Sequence, residues 1–320
     1  MTQRTMKRAV YRRYGGPDVL TLEEVPVPVP GKGQVLVRML ATSVNGGELQ
    51  ARSGRAKFRT AMTPGWPKQL GMDVVGVVEQ VGPGVMSPRP GDRVWGVSIG
   101  DGAYADYVRM PADRVGPLPA GTDPIQAGAL PVAGTTALLA LDGGRPVVAG
   151  QRVLIRGAGG VGLAAVQLAH ARGAEVTALA NAGTMAGVAA AGADRVLDYR
   201  SADPAALGRF DLVFDTVGAG VEAFRQCLAP AGQLRTITAD FSHPVRALGR
   251  MLASVRFGGQ RTRFVTGIPR TAQLDALAAA VEAGELRPIV DSVFSLEQIA
   301  QAHARAEQRG ILGKIVISTE

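Results

Sequence analysis

Side chains that could do chemistry are sparse in this chain, and its most informative residues are glycines. The apolar run 152–156, Arg-Val-Leu-Ile-Arg, leads into Gly157-Ala-Gly159-Gly160-Val161-Gly162 and then into LAAVQLAHARGAEV. A strand, a tight turn and a helix, in that order, is the context in which a GxGxxG pattern gains meaning. Gly157 permits the turn, Gly159 lets backbone approach a pyrophosphate, and Gly162 lets helix pack on strand. Gly160 and Val161 open the helix, where free N–H groups and a partial positive charge face an anion. The pattern points to a dinucleotide; the plainer alternative is a glycine-rich turn that holds nothing.

The choice of nucleotide falls about 20 residues further on, where an Asp or Glu closing the second strand would bind the ribose 2′-OH of NAD. Here that strand ends at Asn181, a neutral residue. Nothing there repels a 2′-phosphate, so NADPH is expected. NADH stays possible if Asn181 hydrogen-bonds a 2′-OH. Tyr199 and Arg200, after the third β run, are the nearest candidates for a phosphate contact.

Other reactive side chains are few. One cysteine, Cys227, excludes an internal disulfide and any cysteine-based zinc cluster. The three histidines, His170, His243 and His303, lie far apart and lack ligand spacing.

These residues need elements to position them, and the texture of the chain supplies two kinds. The first 120 residues read as β-rich: apolar runs such as 35–44 and 74–81 alternate with Pro and Gly punctuation. From about residue 121, Ala/Leu-rich helical patterns alternate with short β runs at 153–155, 175–180, 195–197, 212–214, 233–237 and 263–266. That alternation argues for an α/β, doubly wound parallel sheet with helices on both faces. A buried helix is expected within 127–141, another helix at 271–283, and β runs at 287–294 and 314–318.

With 320 residues, 46% hydrophobic and 19% charged, the chain is an ordinary globular one, long enough for two domains. It has no apolar run of membrane-spanning length, and its basic start has no apolar core of a secretory signal, so a cytoplasmic location is expected. The net charge of +8 lies wholly in residues 1–68, which carry twelve Lys/Arg against four Asp/Glu. Arginine outnumbers lysine thirty to five, and glycine reaches 42, a pattern closer to genome composition than to function. No nucleic-acid motif accompanies the charge, so no nucleic-acid partner is expected.

Several stretches, taken in order, resemble the medium-chain dehydrogenase/reductase superfamily and, within it, the zinc-independent quinone oxidoreductase (zeta-crystallin-like) group. They are YGGPDVLTLEEVPVPVPGKGQVLVRMLATSVN, GMDVVGVVEQVG from Gly71, PGDRVWG, GAYADYV, LPVAGTTALLAL, the glycine loop, FDTVG from Phe214, and LDALAAAVEAGELRPIVDSVFSLEQIAQAHA. The stretch 241–262 matches least. The resemblance implies a β-rich GroES-like catalytic domain over 1–120 and 269–320, a Rossmann domain inserted at 121–268, and an active site in the cleft between them.

It also implies chemistry. Zinc-dependent relatives carry a Cys near the end of the ATSVN strand and a His just after Gly71; here Asn45 and Met72 stand there, so no zinc is expected. Without a Lewis acid the expected reaction is reduction of an electron-poor acceptor, a quinone or α,β-unsaturated carbonyl. Asn45 matches an asparagine facing the nicotinamide ribose and substrate, and Thr136 a threonine lining the nicotinamide pocket. The alternatives are that Asn45 ends a strand and Thr136 caps a helix. Thr216, Gly218, Ile237 and Thr238, at the carboxyl ends of the later β runs, are expected beside the cofactor, where ligands sit in parallel sheets.

The tyrosine that many relatives place shortly after the asparagine is missing: Gln50, Arg55 and Ala56 occupy those places. Its loss counts against an enoyl reduction, which needs a proton at carbon, while a reduced quinone takes its proton from water. Glu48 is expected to support its loop. Arg52, Arg55, Lys57 and Arg59 either hold an anion or form a solvated basic loop. Residues 244–256 read as an amphipathic basic helix, either a pocket cover or dimer contact or a peripheral membrane contact. Relatives commonly pair as homodimers through the last cofactor-domain strand, here 263–266. Two rival functions stand beside quinone reduction: an enoyl-thioester (enoyl-CoA/ACP) reductase, and an NADPH-binding protein with little turnover.

Overall fold

The computed structural model describes residues 4–57, 65–238, 262–265 and 267–319. The segment 244–256 and Arg59 lie outside these residues. The chain divides into two units: 1–135 with 268–283 and 288–320, and 136–267 with 284–287. The division falls inside the helix Pro131–Asp142.

The first unit is β-rich. Its centre is β3 (Gln34–Ser43), nine of whose ten residues follow the apolar run expected at 35–44. It pairs antiparallel with β5 (Asp73–Val81), with β7 (Tyr107–Pro111) and with β16 (Lys314–Ser318). β6 (Arg93–Val97), β8 (Val115–Pro117) and β15 (Val290–Ser295) extend this sheet to seven strands. A smaller sheet joins β1 (Thr5–Tyr11), β2 (Leu20–Pro26) and β4 (Lys68–Gln69). One apolar cluster, with Val35, Val37, Met39, Val74 and Val108, fills one side of the large sheet. A second, with Tyr11, Val44, Tyr104, Ile299 and Ile315, gathers helix α7 (Ile299–Ala306) against the C-terminal strand.

Two short turns place the site residues of this unit. The chain leaves β3 at Ser43 and enters helix α1 (Gly46–Ser53) with Asn45 as its N-cap. Gly71 has φ +97°, and a Cβ there would lie 2.5 Å from the Tyr104 backbone nitrogen. Only a glycine lets residues 70–71 close on 103–104, where Ala103 N–H and Tyr104 N–H donate to Gly71 and Leu70 carbonyls.

The second unit holds a six-stranded sheet in the order β11-β10-β9-β12-β13-β14, with every neighbouring pair parallel. The strands are β9 (Arg152–Arg156), β10 (Glu175–Ala180), β11 (Arg195–Asp198), β12 (Phe210–Asp215), β13 (Leu228–Thr236) and β14 (Thr262–Phe264). Numbered within the unit, this is the 3-2-1-4-5-6 order of a doubly wound dinucleotide fold, with its switch point between β9 and β12. The central strands β9, β10 and β12 are almost continuously buried rather than alternating, as two-faced cover requires. β13 starts five residues ahead of the expected run at 233. Leu228 pairs with Phe210, and the register then shifts.

The helix Pro131–Asp142 (α3) is apolar all round, as the run 127–141 predicts, and a short turn of helix, α2 (Pro124–Ala127), precedes it. Among the described residues no helix is long and apolar enough to cross a membrane.

Candidate functional site

The second unit builds its site from backbone. The turn between β9 and helix α4 (Gly160–Ala171) bends at Gly157, φ +91°, where a Cβ would lie 2.5 Å from Thr216 Oγ1. A Cβ on Gly162 would lie 1.9 Å from the Gly157 carbonyl oxygen, so the helix reaches this distance from the turn only as glycine. At Gly159, by contrast, a Cβ would meet no protein atom within 4 Å. The space beside Gly159 is open, and its position as N-cap of α4 comes without a side-chain cap. Open space at an uncapped helix start, facing Gly160 and Val161, is what an anionic group needs.

Neighbouring strand ends complete this edge. Asp215, fully buried at the end of β12, accepts from Arg156 Nη1 at 2.7 Å, Gly218 N–H at 2.9 Å, Val217 N–H at 3.2 Å and Thr236 Oγ1 at 2.9 Å. Thr216 Oγ1 donates to the Gly157 carbonyl at 2.9 Å. Ile237 N–H donates to the Asp215 carbonyl at 3.2 Å, and the Thr238 carbonyl lies 2.7 Å from the Thr236 hydroxyl. Thus Gly157, Thr216, Gly218, Ile237 and Thr238 meet around Asp215, a buried carboxylate that is not among the residues expected from the sequence. Asp215 ends an apolar run, and that position is the signal that could have found it.

Asn181 Oδ1 accepts from Gly183 N–H at 3.0 Å and caps a short 3-10 turn. Tyr199 N–H donates to the Ala180 carbonyl at 3.1 Å, which brings Tyr199 beside Asn181. The Arg200 guanidinium lies 5.6 Å from the Tyr199 ring centroid, and both side chains face solvent. Thr136 is half-buried in the interior of α3, so helix capping is not its role.

The first unit builds its cluster from side chains, and all of them converge on Asn45. Lys314 Nζ donates to Asn45 Oδ1 at 2.6 Å and to the Val44 carbonyl at 3.0 Å, with Asp73 3.6 Å away. Asn45 Nδ2 donates to Asp73 Oδ2 at 2.8 Å and, over a longer 3.3 Å, to Glu48 Oε1. Asp73 also accepts from Ser43 Oγ at 2.6 Å and Val132 N–H at 2.7 Å. Glu48 Oε2 accepts from Asn45 N–H at 2.9 Å and from the Tyr104 hydroxyl.

Behind Tyr104 the polar contacts continue. His303 Nε2 lies 3.2 Å from the Tyr104 oxygen, and Arg52 Nε donates to His303 Nδ1 at 3.3 Å. Arg52 also donates to the Gly15 carbonyl at 2.6 Å and pairs with Glu307. Arg52 is fully buried, which removes the solvated-loop alternative for it; Arg55 and Lys57 are exposed, as the solvated-loop alternative requires. The reason is helical spacing: Asn45, Glu48 and Arg52 share one face of α1, and that face is turned inward.

Burial dominates the electrostatics here. It pushes Glu48 up to about 7 against the opposing pull of Tyr104, the Asn45 N–H and Lys314. Burial and the Arg52 charge push His303 down to about 3, and burial with Glu48 pushes Tyr104 well above its usual range. At neutral pH His303 is an uncharged imidazole between a phenol and a guanidinium.

Comparison with known proteins agrees with both units. A family model described as an alcohol dehydrogenase GroES-like domain matches residues 31–120, and one described as a zinc-binding dehydrogenase matches residues 191–317. The chain is 34% identical to the quinone oxidoreductase of Sus scrofa across 98% of each chain. Its fold matches that of the quinone oxidoreductase from Coxiella burnetii with a TM-score of 0.89, at 29% identity over 99% of this chain and 100% of that one. It matches a mycobacterial protein complexed with NADPH with a TM-score of 0.81, at 28% identity over 98% of this chain and 99% of that one. On the likeness to the porcine enzyme above all, the chain belongs to the medium-chain dehydrogenase/reductase superfamily, in its quinone oxidoreductase group.

Proposed function

We propose that this chain is an NADPH-dependent reductase that passes hydride to a quinone or a related α,β-unsaturated carbonyl without zinc. The observation that carries the reading is the open, uncapped turn at Gly159 at the switch point of the parallel sheet. Relatives named quinone oxidoreductase along the full chain support the acceptor class. When bound, the nicotinamide supplies the hydride. The chain's own residues bind and orient: Gly159, Gly160 and Val161 hold the pyrophosphate, and Thr216, Gly218, Ile237 and Thr238 border the ribose and nicotinamide. The neutral Asn181 leaves room for a 2′-phosphate beside Tyr199 and Arg200, and a likeness to a protein complexed with NADPH supports that preference over NADH.

Asn45 is the residue we assign to the acceptor. Its amide is held by Lys314 at Oδ1 and by Asp73 at one Nδ2 hydrogen, 2.8 Å away; the second hydrogen makes only long contacts, 3.3 Å to Glu48 and 3.4 Å to the Ser43 carbonyl, and is the one an acceptor oxygen would share. Zinc does not suit this place. Asn45 and Met72 stand where zinc-dependent relatives carry a Cys and a His, and the Lys314 ammonium already sits 2.6 Å from Asn45 Oδ1 and 3.6 Å from Asp73. A reduced quinone anion takes its remaining proton from water. A homodimer in the cytoplasm is part of this reading.

Steady-state NADPH oxidation with a small soluble quinone tests it, with NADH in parallel and a metal chelator throughout. Chelator-resistant turnover that favours NADPH, and that falls at least about 10-fold in Asn45→Ala, is the expected result. Equal use of both nucleotides would sink the NADPH preference. Turnover only on enoyl thioesters would replace the acceptor, and tight NADPH binding with no turnover would leave a binding protein.

A further inference from the structure

The buried polar contacts behind Asn45 have a direction. Arginine can only donate, so His303 Nδ1, which faces Arg52 Nε at 3.3 Å, must accept. The neutral ring then carries its hydrogen on Nε2 and donates to the Tyr104 oxygen 3.2 Å away. The Tyr104 hydroxyl is left to donate to Glu48 Oε2. Every hydrogen bond from Arg52 to Glu48 thus points the same way, from a guanidinium toward a carboxylate. Reversing the chain would put a hydrogen on His303 Nδ1, directly against the Arg52 N–H.

We propose that Arg52, His303 and Tyr104 form a one-way donor chain that favours Glu48 as an ionised acceptor and, through it, fixes Asn45 for the acceptor. The three are positioning residues, and the proposal rests on the reading that Asn45 meets the acceptor. Glu48 grips Asn45 twice, at the backbone N–H and at the amide. A protonated Glu48 would give up part of that grip. The charged and titratable groups facing Glu48 are Tyr104 on one side and Asp73 and Lys314 on the other, with His303 and Arg52 behind Tyr104. Asp73 opposes ionisation of Glu48 and Lys314 favours it. The donor chain adds to the Lys314 side and, at its far end, Arg52 pairs with the half-exposed Glu307.

The chain joins two helical faces at matching spacing. Asn45, Glu48 and Arg52 lie along α1, while His303 lies on α7 with Glu307 one turn later, at its C-terminal end. Tyr104 bridges them from the segment that Gly71 lets in. A histidine and an arginine buried together without a carboxylate between them are costly to fold, so their retention asks for a role.

The test reads Glu48 directly. In the full-length protein without substrate, the infrared carboxyl band that disappears in Glu48→Gln is followed across neutral pH. Tyr104→Phe removes a donor from the carboxylate with little change of shape. Its Glu48 midpoint is expected to rise by about one pH unit. The acid limb of kcat/KM for NADPH-driven quinone reduction is expected to rise with it. His303→Leu should behave like Tyr104→Phe, whereas His303→Gln, whose amide can both accept and donate, should keep the midpoint close to its native value. An unmoved Glu48 midpoint in Tyr104→Phe overturns the chain, and so does an equal loss of activity at every pH. A moved midpoint with an unmoved kinetic limb upholds the chain and overturns the reading that Asn45 meets the acceptor.

Discussion

The two units solve the problem of holding a small molecule in opposite ways. In the parallel-sheet unit the working atoms are backbone N–H groups at a helix start, and the side chains around them are absent by design of the sequence: Gly157, Gly159 and Gly162. In the β-rich unit the working atoms are side-chain atoms from separate segments, gathered on Asn45 by Glu48, Asp73, Tyr104, His303 and Lys314. A backbone site is specified within about a dozen residues, because strand, turn and helix geometry fix the N–H directions. A side-chain cluster is specified only when distant chain segments meet, and each buried polar atom must find a partner there. The first is sensitive to added volume, and the second to a lost charge or donor.

Added volume should therefore break the nucleotide unit hardest. A methyl group at Gly162 would sit 1.9 Å from the Gly157 carbonyl oxygen, a contact no rotamer relieves. Gly162→Ala is expected to destabilise that unit by about 4 kcal/mol. Gly159→Ala places its methyl in open space with an ordinary negative φ of −76°. It should leave the melting temperature almost unchanged while weakening NADPH binding at least about 10-fold, because the lost space belongs to the ligand. Calorimetric melting and fluorescence titration of the pair separate the two effects. Equal damage from both substitutions would remove the distinction between a packing glycine and a ligand glycine.

A lost charge should be the corresponding injury to the β-rich unit. Lys314, 7% exposed at its side chain, is the only cation among the described residues in contact with the Asn45–Asp73 pair. Lys314→Met keeps the length of the side chain and removes the charge and three donors. The buried Asp73 keeps Ser43, Val132 N–H and Asn45 as donors, so the expected loss is about 3 kcal/mol, at the lower end for breaking a buried pair. Urea unfolding at neutral pH measures it. A loss below about 1 kcal/mol would place Lys314 among exposed ion pairs and deny it this role.

The same contrast explains why one unit is more legible in the sequence than the other. The parallel strands, the glycine turn and the helix at 271–282 follow from local pattern, and all but β13, which starts five residues early, form close to where the pattern puts them. Asn45 stands out by resemblance, and its N-cap geometry agrees with its place after an apolar strand. What local pattern cannot reveal is the company it keeps. Glu48 and Arg52 follow Asn45 at helical spacing, but charged residues at that spacing usually mark a solvated face, and nothing local says that this face turns inward. Tyr104 and His303 lie 59 and 258 residues beyond Asn45 in the chain, and Tyr104 reaches Glu48 only because Gly71 admits its backbone.

The mildest change in the β-rich unit is one of pH. Burial and Arg52 push His303 down to about 3 from an ordinary 6.5, so the folded protein refuses a proton that the unfolded chain accepts. The sign follows directly: above about pH 6.5 both states carry a neutral ring and His303 adds no pH dependence, while below it the unfolded chain gains protons and stability falls. The fall continues to about pH 3, at close to 1.4 kcal/mol for each pH unit. Glu48 runs the other way between its ordinary 4.5 and about 7, since its folded form takes up the proton first and stability rises as pH drops through that window. The two slopes partly cancel in the native protein. His303→Gln removes one of them, so its stability relative to the native protein should improve steadily as pH falls from 6.5 toward 4.5, measured by urea unfolding at each pH. Parallel stability curves for the two proteins would mean that His303 takes up its proton in the fold as readily as in solution, and the neutral imidazole on which the donor chain depends would be lost.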